Sequence, residues 1–132
     1  NAITKTEWIE ESVKNIFDNL DLSSSCPVML EQDHHPFRSK CLREDGCLGT
    51  WFDFKGLNVS TNRQDLPMNF VFCHNFWTLH LKNSLYSAIP GQQPWTFMGN
   101  NCKPVIVKES FDVHDMDDII RTEKWLKAEG IK

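Results

Sequence analysis

The sequence predicts an α+β domain: an N-terminal amphipathic helix, five to six short and mostly antiparallel strands forming a curved sheet or partial barrel, and a C-terminal helix. Three observations carry this expectation. Apolar residues near the start recur at the helical period. The chain then changes to short runs rich in β-branched and aromatic residues. It closes on a segment with carboxylates at its beginning and lysines towards its end.

The first helix is expected over residues 4–20, where Ile9, Val13, Ile16, Phe17 and Leu20 form one apolar stripe at i, i+4, i+7, i+8 and i+11. Thr4 and Glu7 have the spacing of a capping box, and Ile3 and Trp8 that of a hydrophobic staple. Asp21-Leu22-Ser23-Ser24-Ser25-Cys26-Pro27 reads as a helix end built from turn formers and a proline.

The middle of the chain divides into short strands. Pro27 to Leu30 is a brief one, and Gln32-Asp33-His34-His35-Pro36 is a polar loop. Leu48 to Phe54 is aromatic-rich and is followed by a turn at Lys55-Gly56. Asn69 to Cys73 and Phe76 to Lys82 are the best strand candidates, with Trp77, Leu79 and Leu81 on the side expected to face the core. Ser87 to Pro94, with Pro90-Gly91, is a loop, and Trp95 to Met98 and Val105 to Phe111 supply two more strands. The last helix is expected over 115–129. Asp115, Asp117 and Asp118 favour the positive end of its dipole, Lys124 and Lys127 the negative end, and Gly130 suits the position after its last turn. Met116, Ile119, Ile120 and Leu126 form its apolar face.

Length and charge bound the function. At 132 residues the chain reads as one domain over 3–132, with Asn1-Ala2 taken as the remnant of a cleaved expression tag. A net charge of −4, with no concentrated basic block, argues against a nucleic-acid backbone as partner. No apolar run approaches the ~20 residues of a membrane span. Five cysteines (Cys26, Cys41, Cys47, Cys73 and Cys102) lack any C-x-x-C spacing, and their usage fits a secreted or periplasmic location and a cytoplasmic one equally. Cys41 and Cys47 flank a loop that a disulfide could close, and Asn58-Val59-Ser60 is a glycosylation sequon.

Gly49-Thr50-Trp51-Phe52-Asp53 and Trp77 to Asn83, followed by Trp95 and Gly99, are similar to strands of the avidin and streptavidin barrels. Only 25 residues separate Trp51 from Trp77, too few for the intervening strands of an eight-stranded barrel. Terminal helices are also foreign to that family, so no binding residue carries over from the resemblance.

Two sets of residues are candidates for function. Five tryptophans in a chain this small exceed what a core of this size encloses, so some are expected on a contact surface; Trp51, Trp77 and Trp95, all on predicted strands, are the candidate ligand-binding residues. They point to a non-catalytic binding or interaction module that presents an aromatic-lined sheet face or cleft to a protein partner or a small apolar ligand, with no cofactor. The alternative is a metal- or thiol-dependent hydrolase: His34, His35 and His74 would be metal ligands, or Cys73 a nucleophile served by His35 or His80. Phosphate-binding glycine loops, nucleophile elbows, H-E-x-x-H helices and EF-hand loops are missing from the sequence.

Overall fold

In the computed structural model, which describes residues 3–131, α1 (Thr6–Asp18) is followed by six strands, β1 (Ser24–Leu30), β2 (Lys40–Leu42), β3 (Leu48–Thr50), β4 (Phe70–Phe72), β5 (Thr78–Leu79) and β6 (Cys102–Ile106), and then by α2 (Met116–Ala128). The protein is therefore α+β, with a helix at each end and strands in mixed and antiparallel sheets that do not close. The assignment of Asn1-Ala2 to a tag lies outside the described residues. The chain forms two compact units, one holding the chain up to Met29 and from Phe72 onwards, the other Leu30–Val71.

In the first unit β1 is the central strand. Its Ser24 and Ser25 pair antiparallel with Leu79 and Thr78 of β5, and its Ser24–Val28 run parallel to Cys102–Ile106 of β6. The Cys73 N–H, just past β4, donates to the Pro27 carbonyl at 3.0 Å. The β1–β6 pairing is parallel, so this sheet is mixed, while the β1–β5 and β2–β3 pairings are antiparallel as expected. The parallel pairing arises because the long crossover after β1 returns the chain to the same edge direction, as a parallel neighbour requires.

Ser23-Ser24-Ser25, expected as turn formers, are instead buried in or beside β1. Their hydroxyls have partners, which is what makes burial tolerable. Ser23 and Ser24 each donate to the Met98 carbonyl at 2.7 Å, and Ser25 accepts from Asn15 at 3.2 Å. These small side chains also let α1 approach closely.

The same packing rotates α1 away from its expected orientation. Its buried residues are Ser12, Asn15 and Ile16, and the Ser12 hydroxyl donates to the Ser25 carbonyl at 3.1 Å and lies 2.6 Å from the Thr78 hydroxyl. Ile9, Val13, Phe17 and Leu20 of the apolar stripe are exposed. The capping box does not form either. The residue before the helix is Lys5, and its side chain makes no cap hydrogen bond.

Apolar packing centres on Cys73, Val105 and Val107, with Trp8 and Met29 against them. Three predicted strands contract or change type. Phe76 to Lys82 keeps only Thr78–Leu79, with Leu81 exposed, because the backbone turns at His80 to make hydrogen bonds from Asn83 and Ser84. Trp95 to Met98 is a tight 3-10 turn over Thr96–Met98. Val105 to Phe111 yields to the earlier Cys102–Ile106.

The C-terminal helix follows the expectation closely: Asp115 caps it, its carboxylate accepting from the Asp118 N–H at 3.0 Å, and Gly130 after the last turn has φ +71°. Its face is turned, however, since Thr122 is buried while Met116, Ile119 and Ile120 are exposed. Asp115→Ala is expected to cost about 1 kcal/mol through the lost cap, measured by urea denaturation.

In the second unit β2 and β3 form an antiparallel hairpin in which Cys41 faces Gly49 and Leu42 faces Leu48. Arg43 and Cys47 close it through a 2.9 Å backbone hydrogen bond, and the Asp45 carboxylate accepts from the Cys47 N–H at 2.9 Å. The aromatic-rich segment beyond Thr50 leaves the strand, so that Phe52 and Phe54 pack edge-on against Phe37, at 5.5 and 5.4 Å between centroids. Cys41 and Cys47 are free thiols.

Candidate functional site

The first unit gathers five rings into one cluster: Phe72, His74, Trp77, Trp95 and Phe97. Phe72 stands 4.9 Å from Trp77 and 5.0 Å from Trp95, centroid to centroid, and Trp77 stands 5.0 Å from Phe97. His74 lies 5.3 Å from Trp95 and 6.1 Å from both Phe72 and Trp77. The two indoles are tilted by 38° at 6.4 Å. Edge-on and tilted pairs at these separations are the favoured arrangements of aromatic quadrupoles. Four of the rings are half-buried and His74 is exposed, so the cluster is anchored below and open above.

Two turns build it. β4 ends at Phe72, and His74 adopts the left-handed conformation (φ 54°), which reverses the chain and brings Trp77 back beside Phe72. Histidine is one of the few side chains that visits this region with any frequency. Asn75 secures the reversal by donating to the Ile3 carbonyl and accepting from the Ser110 hydroxyl at 3.1 Å.

The second turn is the 3-10 segment Thr96–Met98, which places Trp95 and Phe97. Gly91 and Gly99 hold it. A Cβ on Gly91 would collide with the Thr96 carbonyl, and one on Gly99 would meet the Ser23 side chain and sit 2.7 Å from the Asn83 carbonyl. Asn100 adds a 2.9 Å hydrogen bond to the Pro90 carbonyl across the same loop.

Of the three candidate tryptophans, Trp77 and Trp95 come together. Trp51 belongs to the second unit, where it is 63% exposed beyond the end of β3. None of the five tryptophans is fully buried. Trp8 and Trp125 have a different setting: Lys5 Nζ lies 6.0 Å from one ring centroid and 5.1 Å from the other, and pairs with Glu129 at 3.6 Å. They line a cleft of about 400 Å³ with Ile106, Val107 and Lys108. Phe72 and Phe97 went unrecognised as site residues, and His74 was read only as a candidate metal ligand; the one sequence signal for the cluster was the density of rings between 70 and 97.

The histidines and thiols of the alternative reading lie in settings of their own. His34 is a surface side chain, its ring 3.4 Å from the Glu31 carboxylate. His35 is 3% exposed, and both ring nitrogens are engaged: Nδ1 accepts from the Phe37 N–H at 3.1 Å, so Nε2 carries the proton and donates to the Pro67 carbonyl at 3.1 Å. A ligand nitrogen must offer a lone pair to the metal, and His35 has none to spare. His74 is exposed and lies among the rings of the aromatic cluster in the first unit, whereas His34 and His35 belong to the second. Among the described residues no group of three or more His, Cys, Asp or Glu side chains could hold a metal ion.

Burial pushes the Cys73 thiol above its ordinary value, with a weaker opposing hydrogen bond to Ser110, whereas a nucleophilic cysteine needs the reverse. His80 spends its backbone on β1 and the following turn, and its Nδ1 is buried without a partner.

No known protein family and no curated protein matches the sequence of this chain. No helix among the described residues is long and apolar enough to cross a membrane.

Proposed function

We propose that the chain is a non-catalytic binding module whose contact surface is the Phe72–His74–Trp77–Trp95–Phe97 cluster, offered to an apolar group of a protein partner or a small ligand. The observation that carries this reading is the half-open cluster itself. Aromatic rings fixed by backbone turns supply large apolar area with little rotamer freedom left to lose on binding. Tryptophan at such positions typically dominates contact energetics. His74, at the exposed edge, adds a polar contact that orients a bound group. The separately exposed Trp51 gives the second unit an apolar contact point of its own.

Anilinonaphthalene sulfonate, an apolar fluorescent anion, is a suitable probe. Binding with energy transfer from tryptophan is expected, and Trp95→Ala or Trp77→Ala should weaken it ~10-fold while leaving the far-ultraviolet circular dichroism unchanged. Phe17→Ser, which removes an exposed ring on α1, should leave affinity intact. Loss of binding in Phe17→Ser with none in the tryptophan variants would place the contact surface elsewhere. Acrylamide quenching gives an independent check, since uniformly shielded indoles would remove the basis of the reading. One equivalent of zinc per chain, lost in His35→Ala, would support the hydrolase instead.

A further inference from the structure

The two strands that run parallel through the centre of the first unit carry a pair of thiols in contact. Cys26 on β1 and Cys102 on β6 have their sulfur atoms 3.6 Å apart. The register sets Ser24 opposite Cys102 and Cys26 opposite Pro104. Alternation along each strand then puts the Cys26 and Cys102 side chains on one face, as diagonal neighbours. Cys26 is 1% exposed and Cys102 half-buried, so Cys102 is the less enclosed residue of the pair.

We propose that Cys26 and Cys102 are a redox modification site that closes to an intramolecular disulfide by exchange with a low-molecular-weight disulfide of the glutathione class. Closure shortens the 3.6 Å separation of the sulfurs to the ~2.0 Å bond length. The chemistry has two steps. Cys102, as thiolate, attacks one sulfur of oxidised glutathione; the glutathione S–S bond breaks, one glutathione thiolate leaves and takes up a proton, and a mixed disulfide forms at Cys102. Cys26 then loses its proton to solvent and attacks the Cys102 sulfur, expelling the second glutathione, which is protonated in turn. The protein gives up two electrons and two protons, and one glutathione disulfide becomes two thiols.

The order of attack follows from the environment of each sulfur. Cys102 is the less buried residue. The hydrogen bond from the Cys26 thiol, assisted by Ser24 and opposed by burial, brings Cys102 down to about 7. Cys26 is pushed far up by that same bond and by its burial. A thiol ionised near neutrality is the better first nucleophile, and the buried partner is placed to resolve the mixed disulfide.

Peptide mapping without reduction, after incubation of the full chain with oxidised glutathione, tests this. The expected map links the Cys26 and Cys102 peptides, with titratable thiols falling from five to three. In Cys26→Ser, the glutathione adduct should accumulate at Cys102, detected by intact mass. In Cys102→Ser no link to Cys26 should form. A wild-type map in which Cys26 and Cys102 stay reduced, or in which Cys41 and Cys47 carry the only link, would overturn the assignment, and neither outcome depends on a variant folding.

Discussion

Gly99→Ala is expected to destabilise the protein by about 3–5 kcal/mol, from the added backbone strain and overpacking. Gly99 has φ 72° and ψ −158°, a region that only glycine occupies freely. Its Cα lies where a Cβ would strike the Ser23 side chain and the Asn83 carbonyl, neither of which can retreat. Ser23 is buried and bonded to the Met98 carbonyl and the Asn101 N–H, while the Asn83 side chain donates to the Leu20 and Leu22 carbonyls. Gly130 provides the internal comparison. It also has a positive φ, +71°, but nothing lies within 4 Å of its Cβ position, so Gly130→Ala should cost only about 1–2 kcal/mol, the strain of a Cβ in the left-handed region. Urea denaturation of both variants measures the difference. Equal effects would show that the loop carrying Trp95 and Phe97 is not packed against β1 as described. Because that loop supplies two of the five clustered rings, Gly99→Ala should also reduce dye binding in the folded fraction.

Ser12→Leu is the second large expected effect, about 2–5 kcal/mol of lost stability. Ser12 is fully buried between α1 and the sheet, and its hydroxyl serves the Ser25 carbonyl and the Thr78 hydroxyl. Leucine leaves both without that partner and forces its extra volume against a strand of serines. The informative contrast is Phe17→Ser. Phe17 is 77% exposed, so replacing it should change stability by less than about 0.5 kcal/mol. A hydropathy argument from the sequence expects the opposite ranking. If Phe17→Ser proved the costlier change, α1 would lie on its apolar stripe after all.

That contrast shows how far the sequence could be read. The helix over 6–18 was legible because its period is local, and so was the start of α2, where Asp115 caps a backbone N–H three residues ahead. The face that each helix buries was not legible. Ser12 and Asn15 are preferred against β1 because Ser24 and Ser25 are small and need hydrogen-bond partners, a demand that arises only once the strands are assembled. The run Ser23-Ser24-Ser25 carries strong turn propensity, and tertiary hydrogen bonds to Met98 and Asn15 override it. The site was legible in part. Trp77 and Trp95 stood out as rings a small core would not enclose, but the reversal at His74 that joins them to Phe72 depends on Asn75 bonding to Ile3, seventy-two positions away.

By itself, then, the sequence determined the two terminal helices, the strand-rich middle, the cap of α2 and the surplus of indole rings, since each rests on residue type or on contacts a few positions apart. The tertiary structure alone decided which helix faces are covered, that β1 and β6 run parallel, that Cys26 touches Cys102, and that five rings meet at one surface. These depend on which distant segments become neighbours, and a side chain's partners across the fold are set by packing and hydrogen-bond satisfaction rather than by its own propensity.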